Sequence, residues 1–279
     1  MTETTEYVLA FADQSAQQVA LSGGKGANLA RLTGAGFNVP HGIVVTRAAY
    51  DIFLAQAGED FARCVANLDH SSPAALAGQT GAIQDRLRAL PLPAEVREQL
   101  AGRLAQVQAP GVARVSVRSS ATAEDTASAA FAGQHETYLN VALGDVPGRI
   151  KDCWISLWSD RAVMYRHHAG LGALDTSMAV VVQTMVEADV AGVAFSVDPV
   201  AGQLHTVVVD ANFGLGESVV SGEAKVDHWE VDKATGTIVS QRLAEKSRKV
   251  VSLADGGTEV VVLDAVSYTH LTLPTNREV

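Results

Sequence analysis

Arg118 and Lys25 are the two cations whose neighbours could gather an anion around them. Val115 to Val117 reads as a short alternating strand that delivers Arg118, as its last residue, into a run of Ser, Thr, Ala and Gly too small-sided to be core. A strand that empties into hydroxyls and open backbone N–H groups can cradle a phosphate. An arginine placed there keeps its charge near neutral pH and can bind the phosphate with two parallel hydrogen bonds. Ser119, Ser120 and Thr122 are the hydroxyl candidates, while Ala130, Ala132 and Gly133 would let the loop approach terminal phosphates closely. The structural alternative is an ion pair of Arg118 with Glu124 or Asp125 in an ordinary surface loop. Thr137 to Val141 returns to a strand pattern, so the segment reads as a lid hinged between two strands, able to exclude water from a reactive phosphate.

Lys25 lies among Gly23, Gly24 and Gly26, where backbone donors and an ammonium can meet one phosphate. The turn is not a P-loop: the glycine that motif needs five residues ahead of its Gly-Lys pair falls on Val19, and residue 26 is Gly rather than Ser or Thr. A loop that starts a helix and leaves its lysine in solvent explains the same residues. Gln183 to Glu187 closes a valine-rich strand whose backbone groups and apolar Met185 and Val186 could line a ligand cleft. For Met185 an ordinary buried strand is an equal reading. Glu217, in Gly214 to Gly222, could hold a ribose hydroxyl or a lysine behind the site, and Arg161 and Arg166 could face the cleft or pair with carboxylates, the structural role being preferred.

These residues need elements to hold them. After an initial strand, Thr46 can cap a helix with Ala49, Tyr50, Phe53, Leu54 and Ala57 on one face and Gly58 at its end. Further helices are predicted from Pro73 to Leu90 and from Pro93 to Val107, with Pro110-Gly111 as the break before the Arg118 strand. One longer helix from near Asp145 carries Ile150, Trp154, Leu157, Trp158, Ala162 and Tyr165 as packing residues. Strands are predicted near 178–186, 191–197, 204–210, 226–232 and 237–243, and Asp255 to Leu263 reads as a turn and a strand. Helices first and mostly antiparallel strands later imply an α+β, two-lobed fold with its ligand in the cleft.

The chain has 279 residues and is 47% hydrophobic, enough to bury a large core. Cys64 and Cys153 lack metal or redox spacing, the N-terminus lacks a signal pattern, and no apolar run is long enough to span a bilayer. A cytoplasmic protein with no membrane partner is expected. The formal charge of −10 argues against nucleic acid as a partner.

Arg118 to Asp125 followed by Ser128 to Val141 closely resembles the nucleotide-binding domain of the phosphoenolpyruvate synthase and pyruvate phosphate dikinase family, which includes rifampicin phosphotransferases. Leu21 to Leu29 is similar to the family's first nucleotide-contacting turn, with Lys25 on its phosphate-binding lysine. Val180 to Val186 and Ala191 to Pro199 resemble its paired adenine-holding strands, which implies that backbone groups of Gln183 to Glu187 read the adenine edge and that Met185 and Val186 sandwich it, and Gly214 to Gly222 resembles its glycine-rich segment. The match runs from about the tenth residue to the 230s.

The resemblance implies an ATP-grasp-type domain, helical in its N-terminal part, with ATP and Mg²⁺ as cofactors. ATP would phosphorylate a histidine on a swivelling domain, and that histidine would phosphorylate an acceptor, pyruvate by default. A rifampicin-type antibiotic phosphotransferase is the alternative, and a non-catalytic nucleotide-binding module is the rival from another class. None of the eight histidines has the glycine-flanked Ser/Thr-His setting of the phosphocarrier, His135 included. The family's acidic-x-Glu and Gln-x-Arg-Pro runs are also absent, so no Mg²⁺ ligand is named. The phosphohistidine and acceptor domains would be further parts of the same polypeptide. Residues 1–265 are therefore expected to be this domain, incomplete at its C-terminus, and residues 266–279 a non-native tail. Such a fragment is expected to be inactive alone.

Overall fold

The computed structural model describes residues 5–107, 114–121, 136–199, 202–222 and 224–263. The chain divides into two compact units, Met1–Met185 and Val186–Val279.

The first unit is built on a five-stranded antiparallel sheet, in the order β1 (Val8–Ala10), β2 (Gly42–Val45), β5 (Met178–Thr184), β3 (Arg114–Ala121), β4 (Thr137–Ala142). The central strand β5 is buried along its whole length. Its valines serve two cores, as the two-residue period of a strand requires. Val180 and Val182 join the large core, while Ala179 and Val181 pack with Phe11 and Val44 on the opposite face.

Helix α1 (Val19–Gly34) belongs to the first unit, as do α2 (Arg47–Ala55), α3 (Gly58–Ala66), α4 (Pro73–Ala89), α5 (Ala94–Val107), α6 (Val146–Ser156) and α7 (Asp160–His168). Tyr50, Phe53, Phe61, Trp154 and Trp158 meet within the large core, with ring centroids 5.0 to 6.0 Å apart. The tryptophans are thus packing residues, as their helical spacing implies.

Several expectations need correction. The helix expected from Asp145 onward is two helices, broken at Leu157 to Ser159, because the Ser159 hydroxyl accepts from the N–H of Ala162 and starts α7 afresh. Thr46 does occupy the N-cap of α2, but its hydroxyl donates to the carbonyl of Glu6 rather than capping the helix. Gly58 ends one helical run and opens α3, its φ of 71° marking the bend. Helices and strands also interleave in the first unit instead of separating along the chain.

In the second unit β6 (Val190–Phe195), β7 (Thr206–Phe213), β8 (Asp227–Asp232) and β9 (Ile238–Arg242) form an antiparallel sheet in chain order. The strands β10 (Arg248–Ser252) and β11 (Thr258–Val262) form a hairpin, and α8 (Glu217–Val220) is a single turn. The strands expected to pair around adenine belong to different sheets: β5 lies between β2 and β3, and β6 pairs with β7. The architecture is α+β.

Candidate functional site

The glycine turn around Lys25 interrupts α1. Gly23 adopts φ 66° and ψ 175°, and the helix resumes at Gly24. A Cβ at Gly23 would stand 2.2 Å from the main-chain oxygen of Ser120, so only glycine lets this turn lie against β3. The Ser120 hydroxyl stitches the two together, accepting from the N–H of Gly26 at 3.1 Å and donating to the Ser22 carbonyl at 2.8 Å. Lys25, half-buried, is therefore carried on a helix start pinned to the strand of Arg118. A helix start favours negative charge, which is the field an anion would meet there.

Arg118 is the fifth of eight residues in β3, not its last. Ser119, Ser120 and Ala121 continue the ladder opposite Val180, Ala179 and Met178. They are buried, and the close approach of α1 covers Ser120 and leaves room there only for a small side chain. The hydroxyl-rich run thus begins as sheet rather than open loop. Alternation along β3 separates the two serines. Ser120 shares the α1-facing side with Arg118, whereas Ser119 faces the large core beside Val117 and Val180. The Ser119 hydroxyl is buried there with no hydrogen-bond partner among the described residues, and its N–H donates to the Glu136 carbonyl.

The Arg118 guanidinium donates through Nη2 to Oε1 of Gln183 at 2.6 Å. Its Nε is buried without a partner among the described residues, and burial lowers its pKa from the ordinary arginine value. Gln183 in turn donates from Nε2 to the carbonyl of Pro40 at 3.0 Å. Met185 is buried, its N–H donating to the Arg114 carbonyl. Arg118, Gln183, Ser120 and the Lys25 turn are thus joined through β3, β5 and α1 in the first unit. Thr122, Ala132 and Gly133, with Ala130 and the rest of the expected lid, lie outside the described residues, although β3 and β4 flank them as a hairpin pair.

The other expected residues belong to the second unit. Val186 is exposed. Glu187 lines a cavity of about 510 Å³ with Asp189, Phe213, Leu215, Lys249 and Ser252. Glu217 accepts from the Thr258 hydroxyl at 3.1 Å and lines a different cavity, of about 160 Å³, with Arg248 and Val250. Alternation along β10 explains the separation, since Lys249 and Val251 line one cavity and Arg248 and Val250 the other. Glu187 and Glu217 therefore do not share a cavity. Gly214, at φ 75°, bridges to Val250, and a Cβ there would stand 2.2 Å from the Val250 oxygen, so the glycine-rich segment fastens β7 to β10.

Sequence reasoning missed the buried ion pair of Lys246 with Asp227, whose carboxylate also accepts from the Ala244 N–H at 2.8 Å. Nothing in the spacing of these two residues marks them as partners. Arg166 is buried 5.3 Å from the Trp158 ring centroid, in keeping with a structural role. Among the described residues, no group of three or more His, Cys, Asp or Glu could hold a metal ion, and no helix is long and apolar enough to cross a membrane.

The profile of the pyruvate phosphate dikinase AMP/ATP-binding domain matches residues 19–274. The chain belongs to this family. A probable phosphoenolpyruvate synthase of Staphylothermus marinus is 41% identical over 241 residues, covering 84% of this chain and 29% of that protein. The phosphoenolpyruvate synthase of Pyrococcus furiosus is 34% identical, over 92% of this chain and 36% of its own length. A rifampicin phosphotransferase of Streptomyces sviceus is 39% identical, over 94% of this chain and 30% of its own. This member of the dikinase family thus spans about a third of the length of these relatives.

Proposed function

We propose that this domain binds ATP for a dikinase-type phosphotransferase of ATP-grasp type, in which Lys25 and Arg118 hold the phosphates. The observation that carries the reading is the Ser120 stitch, which fixes the Lys25 helix start to the strand of Arg118 and commits two cations to one region of an acidic chain. The buried Nε of Arg118 has no acceptor among the described residues, and phosphate oxygens are acceptors. Thr122, Ala132 and Gly133 would complete the phosphate surroundings, while Ser119, whose hydroxyl faces the core and whose N–H donates to Glu136, would support Arg118 from within the strand. Met185, Val186 and Glu187 would face the base, and Glu217 a ribose hydroxyl.

ATP supplies the phosphoryl group. It would pass to a histidine in another part of the polypeptide, and from there to an acceptor, with pyruvate preferred because several relatives are named phosphoenolpyruvate synthases. The antibiotic-directed reading is favoured by one observation, the 39% identity to a rifampicin phosphotransferase. Mg²⁺ belongs to the proposal through the chemistry of triphosphates. The described residues do not gather a ligand set for it, so no step is assigned to the metal.

Titration of the 279-residue chain with ATP tests the site. Lys25→Ala and Arg118→Ala should each weaken binding by about ten-fold or more, the worth of one charge-assisted hydrogen bond. Binding that survives both substitutions would remove the assignment. A reading frame continuing past residue 264 into an acidic-x-Glu segment and a glycine-flanked Ser/Thr-His would support the full phosphotransferase, and its acceptor domain would choose between pyruvate and antibiotic.

A further inference from the structure

The segment from Asn212 to Glu217 holds the β10–β11 hairpin along its length. Asn212, fully buried on β7, donates from Nδ2 to the Arg248 carbonyl and to the Ser218 hydroxyl of α8, both at 3.2 Å. Arg248 is paired with Val262, so this bond lies at the root of the hairpin. The N–H of Leu215 donates to the Val250 carbonyl at 2.8 Å, beside the Gly214 bridge. Glu217 accepts from Thr258, which stands opposite Ser252 next to the turn. Root, middle and tip are thus each held by one point of the same segment.

Among the described residues, the two strands form a ladder only with each other, and of their side chains only Val250 is buried. A two-stranded hairpin is marginally stable by itself in water, so its order depends on how it is held. The chain entering β10 is fixed, because Lys246 is buried against Asp227 of β8. The root is therefore anchored through a buried charge pair and the tip through an exposed hydroxyl bond. Lys249, Val251 and Ser252 supply the hairpin's share of the cavity of about 510 Å³, alongside Glu187, Asp189 and Phe213. We infer that the hairpin is a hinged wall of this cavity, which swings open from its tip as one unit while β7 and β8 stay paired. A ligand in the cavity meets Lys249 and Ser252 only when the wall is closed. The hinge is independent of which ligand fills the cavity.

Hydrogen exchange of the 279-residue chain, read by mass spectrometry in the peptides covering β7, β8 and the hairpin, tests the hinge in the wild type and in Thr258→Val. Valine keeps the branched shape of threonine and removes only the hydroxyl donor. In the wild type the hairpin should exchange about ten-fold faster than β7 and β8, or more. Thr258→Val should speed the hairpin about five-fold, the worth of one hydrogen bond, and leave β7 and β8 within about two-fold of their wild-type rates. A wild-type hairpin as slow as β7 and β8 would overturn the hinge. So would acceleration of β7 and β8 together with the hairpin in Thr258→Val, since the opening would then belong to the whole sheet. Unchanged hairpin exchange in that variant would show that Glu217 and Thr258 do not hold the tip, and would overturn it equally.

Discussion

At the scale of single residues, the molecule places its least replaceable atoms where two segments touch. Gly23 combines a left-handed φ with a 2.2 Å approach to Ser120, so alanine there must both strain the backbone and push β3 from α1. Gly23→Ala is expected to lower unfolding stability by about 2 to 4 kcal/mol in urea titrations, with ATP binding lost in parallel. An unchanged urea midpoint would show that the turn relaxes freely. The Lys246–Asp227 pair sets a second test. Removing one member strands a buried charge, so Lys246→Met should cost about 3 to 5 kcal/mol, whereas Lys246→Met with Asp227→Leu should recover much of the loss. A double variant as unstable as the single one would mean that the Asp227 bond to Ala244, not the charge, is what matters.

The next scale is that of elements, where contacts between helices and connections decide behaviour. His70, in the connection from α3 to α4, stacks on His167 near the end of α7, with ring centroids 3.9 Å apart and the planes 5° from parallel. Burial first, then His167 and His168, hold the His70 imidazole below its ordinary value, against the opposing pull of Asp69. The unfolded chain then binds more protons than the folded one just below the ordinary histidine pKa of about 6.5. Stability from this contact is complete above that pH and is lost as the pH falls through the folded value. The acid limb of the stability profile should be shallower in His70→Gln; superimposable profiles would dismiss the contact.

What the sequence makes legible follows the range of the interactions. The strands β6 to β9 and the helices α4 and α5 are readable because alternation, proline and helical period are local signals. The break before α7 escaped because Trp154, Leu157 and Trp158 keep a helical spacing across it, while the Ser159 cap is one hydroxyl. Arg118 and Lys25 stood out by composition. The burial of Ser120 did not, since α1 creates it from nearly a hundred residues away. The Gln183 relay was equally hidden, because its partner Pro40 is 143 residues distant.

For the whole molecule, the two units carry unequal cores. The large core of the first unit holds most of the buried apolar side chains, whereas the second relies on few, among them Val208, Leu215, Trp229 and Val250. Strand β9 is exposed at all five residues and β6 is largely exposed, so their backbone hydrogen bonds are shielded by little side-chain bulk. Hydrogen exchange should therefore be fast in β9 and β6 and slowest in β5, reporting local opening energies that rise with burial. Comparable protection of β9 and β5 would show that the chain opens only as one cooperative body.

The complete burial of β5 limits how this protein could be altered by selection or in the laboratory. Five of its seven residues, Met178 to Val182, answer to one core or the other, so a library randomised along that stretch would yield mostly unfolded chains. Any shift in nucleotide preference must therefore be sought outside this strand, in segments free to vary without emptying a core. The strand that carries Gln183 is a place where diversity cannot readily accumulate, and a survey of tolerated variants should find it almost silent.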